Sequence, residues 1–125
     1  MSTPVRLIVQ GLELTGHLDD SQAGRTLAES LPLAWSAERW GHEYYGPLDL
    51  SMGHIQGQGK QDMEVGELAF HAQTCLLCLF FGPTPMSQGE VPRAAFPVLS
   101  VGMLDGDWEG LAALGGTVRC RLEAM

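Results

Sequence analysis

The chain has 125 residues, enough for one domain whose core needs no disulfide or metal staple. Seven Lys+Arg against fifteen Asp+Glu leave a formal net charge of −8, with no basic cluster interleaved with aromatics. Such a chain repels a phosphate backbone, which argues against a nucleic-acid partner.

Sixteen glycines spread along the chain imply many tight turns and therefore many short strands, the pattern of an all-β barrel or sandwich. The first residues, MSTPVRLIVQGLE, lack a basic n-region and carry too short an apolar run for a signal peptide. The longest apolar run, Cys75 to Phe81, is too short to span a bilayer, so no membrane partner is expected. With three cysteines, an odd number, a reduced cytoplasmic chain is the expectation.

Val5–Val9 and Leu12–Thr15 are β-type runs punctuated by Gln10-Gly11, which predicts a hairpin. After Gly16 the pattern changes. Asp19, Asp20 and Ser21 are N-cap types, and Ala23, Leu27, Ala28 and Leu31 recur at helical spacing. Pro32 disfavours helical geometry at Leu31 and should end this helix, the one clear helix of the chain.

Strand character returns from Leu33 to Tyr45, with Trp35, Trp40, Tyr44 and Tyr45 supplying bulk. Residues 46–62 are glycine-rich with little periodicity and predict a long loop holding one short strand around Ser51–Ile55. Gly66–Pro85, GELAFHAQTCLLCLFFGPTP, is the most apolar stretch and predicts a strand, a loop and a second strand that ends at Pro83-Thr84-Pro85. Met86–Ala95 follows as a polar loop and Phe96–Leu104 as a buried strand. Asp105–Asp107 then forms a turn, Leu111–Leu114 a helical turn, and Thr117–Glu123 a last alternating strand. No repeat or linker divides residues 1–125.

Several local patterns suggest chemistry that their context removes. Cys75-x-x-Cys78 falls on a strand, where residues three apart face opposite sides and do not share a disulfide or metal. Adding His71 still leaves a second ligand pair missing, so no metal site is predicted. In 53–61 the first glycine of a phosphate loop is replaced by His54, and Gln61 follows Lys60 where Ser or Thr belongs. Asp105-Gly-Asp107 opens like a calcium loop, but its twelfth position is Gly116. His17, His42, His54 and His71 share no hydrolase spacing. No cofactor is called for.

The order hairpin, helix, long loop, central strand pair and late strand–turn–strand closure resembles the small prokaryotic cyclophilin-like family, relatives of the cyclophilin prolyl isomerases. The residues that carry the resemblance are LPLAWSAERWGHEYYG (31–46), VGELAF (65–70), CLLCLFFGPTP (75–85) and FPVLSVGMLDGD (96–107). VRLIVQGLELTGHL (5–18) is similar to the opening strand pair of cyclophilins. The resemblance implies a closed antiparallel β-barrel of about eight strands, with one α-helix after the second strand. Its interior would be filled by side chains, and a groove on the barrel's outside would be the working surface.

Prolyl isomerisation must overcome an amide rotation barrier of about 18–20 kcal/mol. In cyclophilins an apolar pocket holds the proline, and an arginine hydrogen-bonds the amide nitrogen as it pyramidalises. That arginine follows the strand which resembles WGHEYYG, and here Tyr45, Gly46 and Pro47 take its place. The downstream Gln-Gly-Gly type segment has only a loose echo in Gln56-Gly57-Gln58-Gly59. Arg93, on the 86–95 loop, is the remaining catalytic candidate.

Phe70, His71, Phe81, Tyr45 and Met86 are candidates for an apolar groove wall, and Glu43, Thr84 and Ser87 for its orienting polar groups. Adjacent aromatics on a strand face opposite sides, so one of Phe80 and Phe81 belongs inside the barrel. The expected function is binding of a peptide or small-molecule ligand in the outer groove without efficient isomerase catalysis. An active isomerase with a rearranged site is the first alternative. A self-associating interaction domain that forms a homodimer is the second.

Overall fold

A computed structural model describes residues 2–50 and 53–125. Among these residues nine strands and two helices follow one another as β1 (Thr3–Val9), β2 (Leu12–Leu18), α1 (Gln22–Glu29), β3 (Leu33–Arg39), β4 (Glu43–Pro47), β5 (Lys60–Asp62), β6 (Glu67–His71), β7 (Leu76–Phe80), β8 (Arg93–Asp105), α2 (Trp108–Ala112) and β9 (Thr117–Ala124). Eight strands form a ring in the order β2-β1-β9-β3-β4-β7-β6-β8, and pairing of β8 with β2 closes it. Every pair is antiparallel, so the molecule is the closed all-β barrel that the resemblance implied. β5 adds a ninth strand on the free edge of β8.

The local chemistry is legible at the turns. Gln10 and Gly11 both have positive φ, 48° and 87°, the geometry that a two-residue hairpin turn demands. Ser21 caps α1 by accepting from the Gly24 amide at 3.1 Å, and the helix ends before Leu31. The Asp105–Asp107 turn serves α2, whose first turn is capped by Asp107 accepting from the Gly110 amide at 3.0 Å. The stretch Leu33–Tyr45 is two strands joined at Trp40-Gly41-His42. Of the short strand expected around Ser51–Ile55, Ser51 lies outside the described residues, and Gly53 and His54 form a turn. β8 starts at Arg93 rather than Phe96, so Ala94 and Ala95 are strand residues and not loop. Among the described residues no helix is long and apolar enough to cross a membrane.

The barrel interior is packed with the alternating residues of each strand, including Val5, Leu7, Leu14, Leu68, Leu79 and Leu122. α1 follows the Leu18 end of β2 and buries Ala23 and Leu27 there. α2 lies by Leu12 at the other end of β2 and buries Leu111. A second, smaller cluster lies outside the ring and contains Met63, Ala69, Cys78, Phe80, Ala94 and Val98. Two cores in so short a chain require β8 to serve both.

β8 does so through an irregularity opposite Leu68 and Ala69, where the pairing jumps from Gly102 to Ser100. The intervening Val101 bulges into the barrel. Beyond it, the strand's first half pairs with β5 and covers the outer face. At the closing seam β2 and β8 run unusually close: a Cβ on Gly16 would lie 1.9 Å from the Met103 carbonyl oxygen. Gly16→Ala should therefore cost about 1–3 kcal/mol in denaturant unfolding. An unchanged midpoint would mean that the seam has slack.

Candidate functional site

The outer face of β4 and β7 carries Glu43 and Tyr45, then Leu76 and Cys78, at the two-residue spacing of one strand face. Cys78 stands opposite Tyr45 in the β4–β7 register. The first half of β8 lies across from them and contributes Ala94, Phe96 and Val98. Between these strands is a largely apolar groove of about 300 Å³. Glu43, Cys78, Ala94 and Val98 are its buried residues, while Trp40, Tyr45 and Phe96 stand partly exposed around it.

The hairpin that presents Glu43 is fixed by its turn. Trp40 and Glu43 exchange backbone hydrogen bonds of 2.9 and 3.1 Å, and Gly41 takes a positive φ of 61°. A Cβ on Gly41 would fall 2.9 Å from the Thr84 Cα, so only glycine lets the Pro83-Thr84-Pro85 segment seat there. The His42 amide donates to the Pro83 carbonyl at 2.9 Å, and the Phe81 amide donates to the His42 carbonyl at 2.9 Å. Trp40–Tyr45 and Gly82–Pro85, both within stretches that carry the family resemblance, thus interlock at one end of the barrel.

Glu43 is 5% exposed. Burial pushes its pKa up from 4.5 to about 7, and a hydrogen bond from the Cys78 thiol works against that rise only in part. Cys78 is held protonated by its own burial first and by the Glu43 charge second, so its thiol remains a donor. The Tyr45 phenol is also raised, by burial and then by Glu38, which accepts its hydroxyl at 3.4 Å. A carboxyl that titrates near neutrality in an apolar recess can hold or release a proton, or pair with a cation.

Glu43 and Tyr45, expected at the groove, line it together. The other sequence candidates are placed elsewhere. Phe70 and Phe81 point into the barrel because the strand phase puts Leu68, Phe70, Leu77 and Leu79 on the inner face. Phe81 stacks on Tyr44 at 5.7 Å between ring centres, and its neighbour Phe80 lies on the outer side, fully buried. His71 flanks the far side of Phe96, ring to ring at 4.2 Å, and borders a separate, wider depression of about 580 Å³. Burial lowers its pKa, and its Nδ1 lies 2.6 Å from the Thr74 hydroxyl.

Thr84 and Ser87 turn into their own loop, not the groove. The Thr84 amide donates to Ser87 Oγ at 2.9 Å, Ser87 Oγ donates to the Val91 carbonyl at 2.7 Å, and the Thr84 hydroxyl donates to the Arg93 carbonyl. These bonds hold the loop against the start of β8. Met86 is exposed on that loop. Arg93 forms a 2.8 Å ion pair with Asp62 and borders the Gln88–Val91 side, away from the groove lining. Arg39 is likewise engaged at the barrel end. It lies over the Tyr44 and Phe81 rings at 5.4 and 5.1 Å and donates to the Ala112 carbonyl at 3.0 Å and to the Gly41 carbonyl.

Trp40, Leu76, Cys78, Ala94, Ala95, Phe96 and Val98 also line the groove and were missed as site residues. For Leu76 and Cys78 the signal is the apolar character of both phases of β7, which marks a strand covered on both faces.

With the barrel and its outer groove defined, the comparison with known families is direct: the cyclophilin-like family matches residues 3–123. The chain belongs to the cyclophilin-like family. The solution structure of the hypothetical protein AF2241 from Archaeoglobus fulgidus is similar to this cyclophilin-like chain with a TM-score of 0.77. The two are 24% identical, over 99% of this chain and 95% of that one. The structure of McbB in complex with tryptophan matches with a TM-score of 0.64 and 12% identity, over 95% of this chain and 44% of that one. Both are likenesses of fold. No curated protein sequence matches the chain.

The Glu43 shift has a thermodynamic consequence for the cyclophilin-like domain. The folded chain keeps a proton that the unfolded chain releases above about pH 4.5, so stability declines from there to about pH 7 and is flat beyond. Relative to Glu43→Gln, the native chain should lose about 3 kcal/mol of unfolding free energy across that window. A difference between the two proteins that stays constant with pH would show an ordinary carboxyl.

Proposed function

We propose that this cyclophilin-like protein binds a small, mainly apolar ligand, free or as a side chain of a peptide, in the outer groove between β4, β7 and β8, without efficient prolyl isomerase catalysis. The observation that carries the reading is the groove itself, an apolar recess of about 300 Å³ with one buried carboxyl at Glu43. Recesses of that size lined by apolar side chains around a few placed polar groups are typical of small-molecule sites. McbB, a neighbour in fold, was solved with tryptophan, a ligand of comparable scale. Three free thiols suit a reducing compartment, so we place the protein in the cytoplasm.

The case against efficient isomerisation is electrostatic. Stabilising a twisting amide takes a donor aimed at the nitrogen, realised in the transition state and not in the planar forms. Among the described residues no guanidinium lines the groove, and both nearby arginines have partners: Arg93 has Asp62, and Arg39 has carbonyls at the barrel end. A proline peptide should therefore convert from cis to trans at the buffer rate in the protein's presence. Acceleration that disappears in Arg93→Ala would restore the isomerase reading and name its carrier.

Binding is tested at the groove mouth. Ala95 is exposed and lines the groove, so Ala95→Phe should narrow it without loss of thermal stability. A neutral naphthalene fluorophore should bind with a blue-shifted emission, and about tenfold more weakly to Ala95→Phe. Equal binding to the two proteins would place the ligand site elsewhere.

A further inference from the structure

Two glutamates are buried on the outer face of the barrel, and they are partnered differently. Glu67 on β6 has the Lys60 ammonium at 2.8 Å and accepts the Glu64 amide at 2.9 Å. Burial alone would raise its pKa, but the hydrogen bonds from Lys60, Ser100 and Glu64 outweigh burial and bring it below the ordinary value. Glu43 on β4 is 5% exposed, and the side chain that hydrogen-bonds it is the Cys78 thiol, a weak donor. Glu67 is complete. Glu43 has the groove where Glu67 has its lysine.

The rest of the groove suits a cation in that position. Trp40, Tyr45 and Phe96 stand around it, and aromatic faces attract a positive charge, the more so when it is desolvated. A chain of net charge −8 draws cations and repels anions at long range. The apolar lining in turn calls for an apolar body behind the charge.

This inference rests on the reading that the groove binds a small ligand: we propose that the ligand is an organic amine with an apolar body, whose ammonium docks on Glu43 as Lys60 docks on Glu67. The groups that face Glu43 are the Cys78 thiol from β7 and the Tyr45 phenol on its own strand, with Glu38 of β3 behind that phenol. His71 of β6 is screened behind Phe96, and β8 presents Ala94, Phe96 and Val98, which carry no charge. The carboxyl is therefore the group that sets the pH response. Affinity for an amine should rise until Glu43 ionises, near pH 7, and stay level until the amine itself loses its proton.

Calorimetric titration of the full chain with phenethylamine, phenylethanol and phenylpropionate at about pH 8 tests the proposal, since there the carboxyl is ionised and the amine still charged. Phenethylamine should bind about tenfold more tightly than phenylethanol, with phenylpropionate weakest. Glu43→Gln should erase the amine's advantage and leave phenylethanol binding in place. Should that variant fail to fold, the native chain supplies the second measurement: amine affinity should fall about tenfold per unit below about pH 6, while phenylethanol affinity stays level. Equal binding of amine and alcohol, tightest binding of the carboxylate, or an amine advantage that survives Glu43→Gln overturns the proposal and leaves the groove reading standing. No binding of any of the three overturns the groove reading and this proposal with it.

Discussion

The whole molecule depends on the pairing capacity of one strand. β8 closes the barrel against β2 and β6 with its second half, then lifts past the Val101 bulge to cover the outer face with its first half. A bulge bends a strand and increases its twist, which allows one continuous segment to leave the cylinder without breaking. The close seam at Gly16 and Gly102 follows from the same demand: a Cβ on Gly102 would lie 2.3 Å from the His17 carbonyl oxygen. Without closure there is an open sheet edge. Without the bulge there is no second cluster, and Glu43 would sit on an ordinary solvated barrel exterior.

Glu43, set against Cys78 of that second cluster, is costly to bury. A buried carboxyl without a cation loses hydration that a thiol replaces poorly, and its raised pKa expresses that loss. Glu67 shows that the same surface can supply a lysine to a buried carboxylate. Perturbed carboxyls of the Glu43 kind concentrate at sites that bind or react, because they are stabilised further only when something else arrives. The contrast between the two residues is therefore more informative about function than the burial of either.

Much of the barrel was legible in the sequence because its determinants are local. Gln10-Gly11 specifies a turn, Ser21 a helix start, and the alternation of Thr117–Glu123 a half-buried strand. The site was legible only in part. Glu43 and Tyr45 share a strand face by spacing alone, so they stay together whatever the register. Phe70 and Phe81 depend on which phase of β6 and β7 faces inward, and that is set by long-range pairing with β4 and β8. Ala94 and Phe96 were hidden for another reason. The strand around them is made by the bulge and by β5, and a three-residue strand leaves no periodicity to read.

Belonging to the cyclophilin-like family goes with the cylinder, but the chemistry of the groove on its outer face is decided by which charges reach it. In this chain the guanidiniums near that end are used to hold the structure. Arg39 lies on the Tyr44 and Phe81 rings and bonds two carbonyls, and Arg93 pairs with Asp62 beside the β5–β8 ribbon. What the groove offers in their place is a carboxyl, an acceptor when ionised and a donor when not. An acid that titrates near neutrality gives a recess the opposite electrostatic sign to one built around a fixed cation. The same cylinder can therefore serve opposite electrostatic ends, and the outer faces of β4 and β7 determine which.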